Sequence, residues 1–258
     1  MHKGEKSFHA GETLGSRSGT RYLNEISKVR PGETEAMKVV IFQHEKNEPA
    51  GVFEIIFEEQ GIPFEYLRLF EDETIDIADA THLLFMGGPM SVNEEEKYPW
   101  LVEEKMLIRD WIKKKRPVLG ICLGAQLISS AMGGRVTGCE QEIGWTEVRR
   151  LRAGPLAEFP AKFFVFQLHG ETFEIPLDST LLCAGERVRN QAFCCGTALG
   201  LQFHLESTPE TVRQIVNHCG HELVEGKYIQ SAAEITAADS ALFATINRLL
   251  ETLLNRLA

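Results

Sequence analysis

Gly120-Ile121-Cys122-Leu123-Gly124-Ala125-Gln126, directly after the apolar run Pro117 to Ile121, is the stretch on which the fold turns. A short apolar strand that ends in Gly-x-Cys-x-Gly and opens into a helix reads as a nucleophile elbow with sulfur in place of oxygen. The flanking glycines tolerate the tight turn that lifts one side chain above the end of a sheet. At the first turn of a helix, the dipole biases a thiol toward thiolate.

Outward from the elbow, apolar strands alternate with helical patterns. On the N-terminal side the strands are Lys38 to Gln43, Phe64 to Leu69 and His82 to Met86, and the helices are Val52 to Gln60 and Tyr98 to Lys115. The elbow's own helix is expected from Ala125 to Met132. Strands separated by helices predict an α/β fold, a mainly parallel central sheet flanked by helices. The second half is richer in strands: Gly144 to Leu151, Phe163 to Leu168, Thr180 to Ala184, Gln191 to Cys195 and Leu199 to His204. A helix from Pro209 to about Cys219 follows, and Leu242, Ile246, Leu249, Leu250, Leu253, Leu254 and Leu257 form a stripe at helical spacing. That stripe is expected to pack on its own domain.

The polar stretch 1–36 has no helix or strand period and reads as a flexible leader, native or added. Residues 37–220 then form the main domain and 221–258 a C-terminal helical extension. With 43% hydrophobic and 25% charged residues, the 258-residue chain has the balance of an ordinary globular protein. A net charge of −10 argues against a nucleic-acid partner. No long apolar span or signal peptide is visible, so no membrane partner is expected and a reducing cytoplasm is the default. The six cysteines show no Cys-x-x-Cys pair and no metal-ligand spacing. Neither a metal nor another cofactor is expected.

A cysteine nucleophile needs a base, and the base an orienting carboxylate. Gly200-Leu201-Gln202-Phe203-His204-Leu205-Glu206 offers both at the carboxyl end of a strand, the edge where open α/β sheets place their sites. Gly87-Gly88-Pro89 adds backbone N–H groups without side chains in front of them. With the N–H of Leu123 it makes a two-donor oxyanion hole.

Together these pieces resemble the class I (triad) glutamine amidotransferases, over about Met37 to Ile215. The motifs stand as G-G-P-M-S-V, G-I-C-L-G-A-Q and Q-F-H-L-E, in the family's order, with wording most like the amidotransferase domain of GMP synthases. The resemblance implies a flavodoxin-like sheet, Cys122 as nucleophile, His204 as general base and acid, and Glu206 as orienting carboxylate. It also implies oxyanion donors at Gly88 and Leu123, and Gln126 at the substrate's amide end. The segment containing Gln167, Leu168 and His169 sits where the family grips the α-amino and α-carboxylate groups of glutamine. The implied reaction passes through a γ-glutamyl thioester and releases ammonia and glutamate.

Leu205 replaces the family's usual proline, which leaves the position of Glu206 open. No Ser-Gly-Gly-x-Asp-Ser pyrophosphatase motif follows, so GMP synthesis by this chain alone is not expected. Two readings remain: a glutaminase subunit feeding ammonia to a separate synthetase, or a free-standing hydrolase or transferase of other γ-glutamyl compounds. A catalytically silent binding or regulatory protein would normally have lost the cysteine or the histidine. Cysteine peptidase and chaperone relatives with an elbow cysteine would carry histidine where Leu123 stands. The oligomeric state stays open, a homodimer included. Among the other histidines, His169 is a pocket-lining candidate and His44 reaches toward the same edge, while His82, His218 and His221 read as structural.

Overall fold

Apolar runs of four or five residues are satisfied best in a sheet covered on both faces. The computed structural model, which describes residues 36–71, 74–77, 79–218 and 226–257, builds them into one. In chain order its elements are β1 (Val39–Gln43), α1 (Val52–Gln60), β2 (Phe64–Arg68), β3 (His82–Phe85), α2 (Trp100–Lys113), β4 (Val118–Ile121), α3 (Leu123–Ala131), β5 (Val136–Arg150) and β6 (Lys162–Phe173). β7 (Thr180–Gly185), β8 (Ala192–Cys195), β9 (Ala198–Leu201), α4 (Pro209–His218), α5 (Ala232–Thr236) and α6 (Ser240–Leu257) complete them.

The nine strands form one sheet in the order β2-β1-β3-β4-β9-β8-β7-β5-β6. The pairs from β2 through β9 are parallel, and those from β9 through β6 are antiparallel. Every residue of β1 and β4 is buried, as continuous apolar strands between two helical layers require. β4 lies between β3 and β9, so the turns after these three strands open side by side at the carboxyl edge. Those turns carry Gly87-Gly88, Cys122 and His204.

Several boundaries differ from the sequence reading. β5 starts at Val136 instead of Gly144, and β6 runs to Phe173 instead of Leu168. The two pair from Val136↔Phe173 to Arg149↔Lys162, with an irregularity between Gly138 and Glu142. Most of their added residues are polar or glycine, so backbone pairing holds them where no regular hydrophobic alternation marks a strand. β9 ends at Leu201, short of the expected His204, because the chain there leaves the ladder: Gln202 N–H donates to Gln191 O and His204 N–H to Phe166 O. α3 begins at Leu123, two residues early, since the elbow turns within one residue.

α6 packs on the domain as expected, with Phe243, Ile246, Leu249, Leu250, Leu253 and Leu254 in the main core. The side chain of Leu257, most of the leader, Cys219 and His221 lie outside the described residues. Among the described residues no helix is long and apolar enough to cross a membrane.

Close backbone packing seats the elbow. A β-carbon on Gly124 would stand 2.2 Å from Phe85 O, and one on Gly120 would stand 2.4 Å from the Gly124 carbonyl carbon. Gly124→Ala is therefore expected to cost about 3 kcal/mol, since the clash is with backbone that cannot repack. Gly138→Ala, with open space around it, should change stability by no more than about 0.5 kcal/mol. Urea unfolding midpoints of the two variants check the contrast; equal values would mean that the elbow has room to move.

Candidate active site

Among the described residues, Cys122 is one of three non-glycine residues with positive φ, at φ 52° and ψ −106°. Such a conformation costs on the order of 1–3 kcal/mol and persists only where the surroundings over-determine it. Here they do. The Cys122 N–H donates to Leu201 O on β9 at 2.8 Å, and its carbonyl accepts from Gln126 N–H at 3.1 Å as the first bond of α3. The side chain is held between polar groups: its S–H points at Leu168 O, 3.6 Å away, and Gln202 Nε2–H donates to Sγ at 3.6 Å.

The second component is the segment after β9. His204 Nδ1 lies 2.6 Å from Glu206 Oε1, and both side chains are buried. The carboxylate fixes the tautomer by accepting a hydrogen bond from Nδ1–H, which leaves Nε2 pointing away from it. Nε2 has no conventional hydrogen-bond partner among the described residues, and Cys122 is the neighbour close enough to act on that side of the ring. Burial alone would pull the His204 pKa down, but Glu206 and the nearby Cys122 outweigh it and push it well above the ordinary imidazole value.

Neighbours fix the course of this segment. Glu206 O accepts from Val52 N–H at the start of α1 at 3.0 Å. Gly51 permits that approach, since a β-carbon there would stand 2.5 Å from the same oxygen. From α6, the Asn247 side-chain amide donates to Leu205 O at 3.0 Å and to Ser207 O at 3.1 Å.

The third component is the glycine loop. A β-carbon on Gly88 would meet His44 Cβ at 2.9 Å and Leu123 Cδ2 at 3.1 Å. At Gly87 the first contact would be a Glu48 carboxylate oxygen, with His204 Cε1 at 3.3 Å. Glycine at both positions thus lets the loop lie against the elbow and the imidazole. Leu123, as the first residue of α3, has an N–H with no acceptor inside the helix. Glu48, Gly51, Met86, Gly87, His204 and Glu206 border a small cleft.

The remaining sequence candidates fall into two places. Gln126 is buried behind the sulfur, where its Nε2 donates to Glu171 O at 3.3 Å and Gln202 Oε1 at 3.4 Å. Leu168 touches the site through its carbonyl. The side chains of Gln167 and His169 instead enter a buried polar cluster under the β5–β6 hairpin. There His169 Nε2 lies 3.2 Å from Glu142, Gln191 donates to Glu142 at 2.9 Å, and Gln167 donates to Gln191 at 2.7 Å. The His169 ring is thus taken up by Glu142 and the Glu171 carbonyl. Among the described residues no group of three His, Cys, Asp or Glu side chains is arranged to hold a metal.

Sequence reasoning missed Glu48, Glu104, Asn247 and the role of Gln202. Only Gln202 carried a signal, as part of the quoted Q-F-H-L-E segment. His44 does reach the site's edge, but from behind the glycine loop: Nδ1 is 3.3 Å from Gly87 O and Nε2 2.8 Å from Glu104 Oε1.

Comparison with known proteins places this geometry. The class I glutamine amidotransferase family model matches residues 56–222. The glutamine amidotransferase-like protein YfeJ of Salmonella typhimurium is 31% identical over 215 residues, which cover 78% of this chain and 90% of YfeJ. A glutamine-hydrolysing GMP synthase of Thermomicrobium roseum is 33% identical over 130 residues, 48% of this chain but 23% of the synthase. The crystal structure of a glutamine amidotransferase from Thermotoga maritima superposes with a TM-score of 0.81 at 34% identity, covering 86% of this chain and 98% of that one. One from Methylobacillus flagellatus gives 0.81 at 32% identity, covering 86% and 94%. With the matched span running from α1 through the elbow to the segment after β9, the chain belongs to the class I glutamine amidotransferases, a family of cysteine-dependent amidotransferases.

Proposed function

We propose that Cys122, His204 and Glu206 form a catalytic triad that hydrolyses the side-chain amide of glutamine. The observation that carries this reading is the buried imidazole, tied to Glu206 on one nitrogen and turned toward an elbow cysteine on the other. Nε2 of His204 takes the Cys122 proton while sulfur attacks the amide carbon. Negative charge then grows on the amide oxygen, which the N–H groups of Gly88 and Leu123 hold. His204 returns its proton to the amide nitrogen, ammonia leaves, and a γ-glutamyl thioester remains. Water attacks the thioester as His204 accepts its proton; sulfur leaves as thiol and glutamate is released.

Gln126 acts in this scheme by orienting Gln202, whose amide touches the sulfur. The backbone of Gln167, Leu168 and His169 is the segment we assign to the α-amino and α-carboxylate groups. Residues 37–220 form the catalytic domain, and 221–258 a helical extension that braces it. The work takes place in the cytoplasm. Ammonia passes to a separate synthetase, a reading that the likeness to GMP synthases supports. A free-standing hydrolase of other γ-glutamyl compounds is the second reading, favoured by the near-complete coverage of YfeJ.

Ammonia release from glutamine and from a panel of γ-glutamyl amides, with and without a synthetase, separates the two readings. A diazo-ketone analogue of glutamine should label Cys122 alone, as mapped by mass spectrometry; label on another residue would remove Cys122 from the reaction. Glu206→Gln should lower kcat on the order of 10³-fold or more, by freeing the wrong tautomer.

The raised His204 pKa also sets a pH dependence. The pair stabilises the fold fully below the unfolded imidazole pKa of about 6.5 and loses that contribution as pH rises through the folded value. Glu206→Gln should therefore cost about 3 kcal/mol at pH 6, the scale of breaking a buried pair, and less at pH 9. Urea unfolding of both proteins at the two pH values measures the difference; a cost that grew with pH would show His204 to be neutral in the folded protein.

A further inference from the structure

Behind the glycine loop stands a second imidazole–carboxylate pair that the triad does not use. His44 and Glu104 side chains are both fully buried, with Nε2 2.8 Å from Oε1. Burying this pair is expensive, and apolar residues of the same volume commonly serve stability as well or better. A pair buried at such a cost suits a task of orientation. The other ring nitrogen, Nδ1, lies 3.3 Å from Gly87 O. A carbonyl oxygen can only accept, so Nδ1 carries a hydrogen. That holds whether the proton between Nε2 and Oε1 rests on the imidazole or on the carboxyl. Glu104 has no other hydrogen-bond partner to serve, for its second oxygen is buried without one.

Gly87 O and Gly88 N–H belong to one peptide unit, and no peptide bond among the described residues is cis. In a trans unit the C=O and N–H point in opposite directions. Anchoring the carbonyl on His44 therefore aims the Gly88 N–H away from the dyad. Without an anchor this unit would be free to turn over, because glycine accepts either sign of φ on both sides. We infer that His44, held by Glu104, is a positioning residue that locks the Gly87–Gly88 peptide with its N–H turned toward the developing oxyanion. The inference rests on the assignment of Gly88 as an oxyanion donor. His44 touches no reacting atom in this scheme.

The test is a matched pair of double variants. His44→Leu with Glu104→Met removes the donor and leaves no unpaired buried charge. His44→Asn with Glu104→Met keeps an N–H near the same place in a side chain of nearly the same shape. The leucine variant should lose about 10²-fold in glutamine-hydrolysis kcat, the scale of one lost oxyanion donor, with KM little changed. The asparagine variant should recover most of that loss. Alkylation of Cys122 by iodoacetamide builds no oxyanion, so its rate should be equal in both variants and in the unaltered protein. A parallel loss of alkylation, or no difference between the two variants, overturns the lock.

The Gly88 amide resonance in 15N-labelled protein gives a readout independent of substrate. It should shift in the leucine variant and return toward its original position in the asparagine variant. An unmoved resonance overturns the lock whatever the enzyme hydrolyses. If the resonance moves as expected while the unaltered protein releases no ammonia from glutamine, the lock stands and the substrate assignment falls.

Discussion

Everything in the site depends on how closely α3 can lie against the sheet. Gly124 rests on the Phe85 carbonyl and Gly120 on Gly124 itself, with no room for a β-carbon at either contact. This packing lets the chain reverse within the single residue Cys122, at a φ that an unsupported cysteine would leave. Because β4 lies between β3 and β9, the turn after each neighbouring strand opens beside the sulfur. The glycine loop arrives from one side and His204 from the other. A register change of one residue in β4 would turn the elbow's side chain toward the opposite face. The proposed triad is thus a consequence of strand order combined with one tight helix–sheet contact.

The same edge holds three buried imidazole–carboxylate pairs: His204–Glu206 at 2.6 Å, His44–Glu104 at 2.8 Å and His169–Glu142 at 3.2 Å. A low-dielectric interior makes each an expensive addition to stability but a stiff constraint on direction. They act on three different parts of the site. The first orients the proposed base, the second faces the glycine loop, and the third sits within the base of the β5–β6 hairpin whose Leu168 carbonyl meets the sulfur. Only the first has its second nitrogen unsatisfied. The other two rings use both nitrogens on fixed partners, which suits scaffolding, whereas His204 keeps one nitrogen for the proposed proton transfer.

The alternating apolar strands, the elbow and the His204 segment were legible because each is a local pattern: an apolar run, glycines at fixed offsets, two polar residues on one side of an extended stretch. What stayed hidden is non-local. Glu104 sits on the inner face of α2, where spacing predicts an apolar side chain; nothing short of the fold brings it to His44, 60 residues earlier. The true length of β5 and β6 was invisible for a related reason. Residues 136–143 alternate poorly and are held as strand by their partners across the hairpin. The His169 side chain sits in a strand reaching Phe173, so the pleat sends it, with Gln167 two residues earlier, into the interior cluster, where a strand ending at Leu168 would have left it in a loop.

Leu205 shows how a departure in one motif is absorbed elsewhere. Proline at that position would restrict the segment by fixing φ, and leucine leaves the backbone free to rotate. In this chain the restriction comes from α6 and α1. Asn247 donates to the carbonyls on both sides of Glu206, and Val52 N–H takes the Glu206 carbonyl itself. Rotating Glu206 away from His204 would break hydrogen bonds each worth about 0.5–1.5 kcal/mol net, and more if the freed groups stayed buried and unpaired. The buried Leu205 side chain adds apolar contact in the core that α6 shares. The C-terminal helix, which the sequence presents only as an apolar stripe, is therefore mechanically part of the site, because it holds the carboxylate that holds the imidazole.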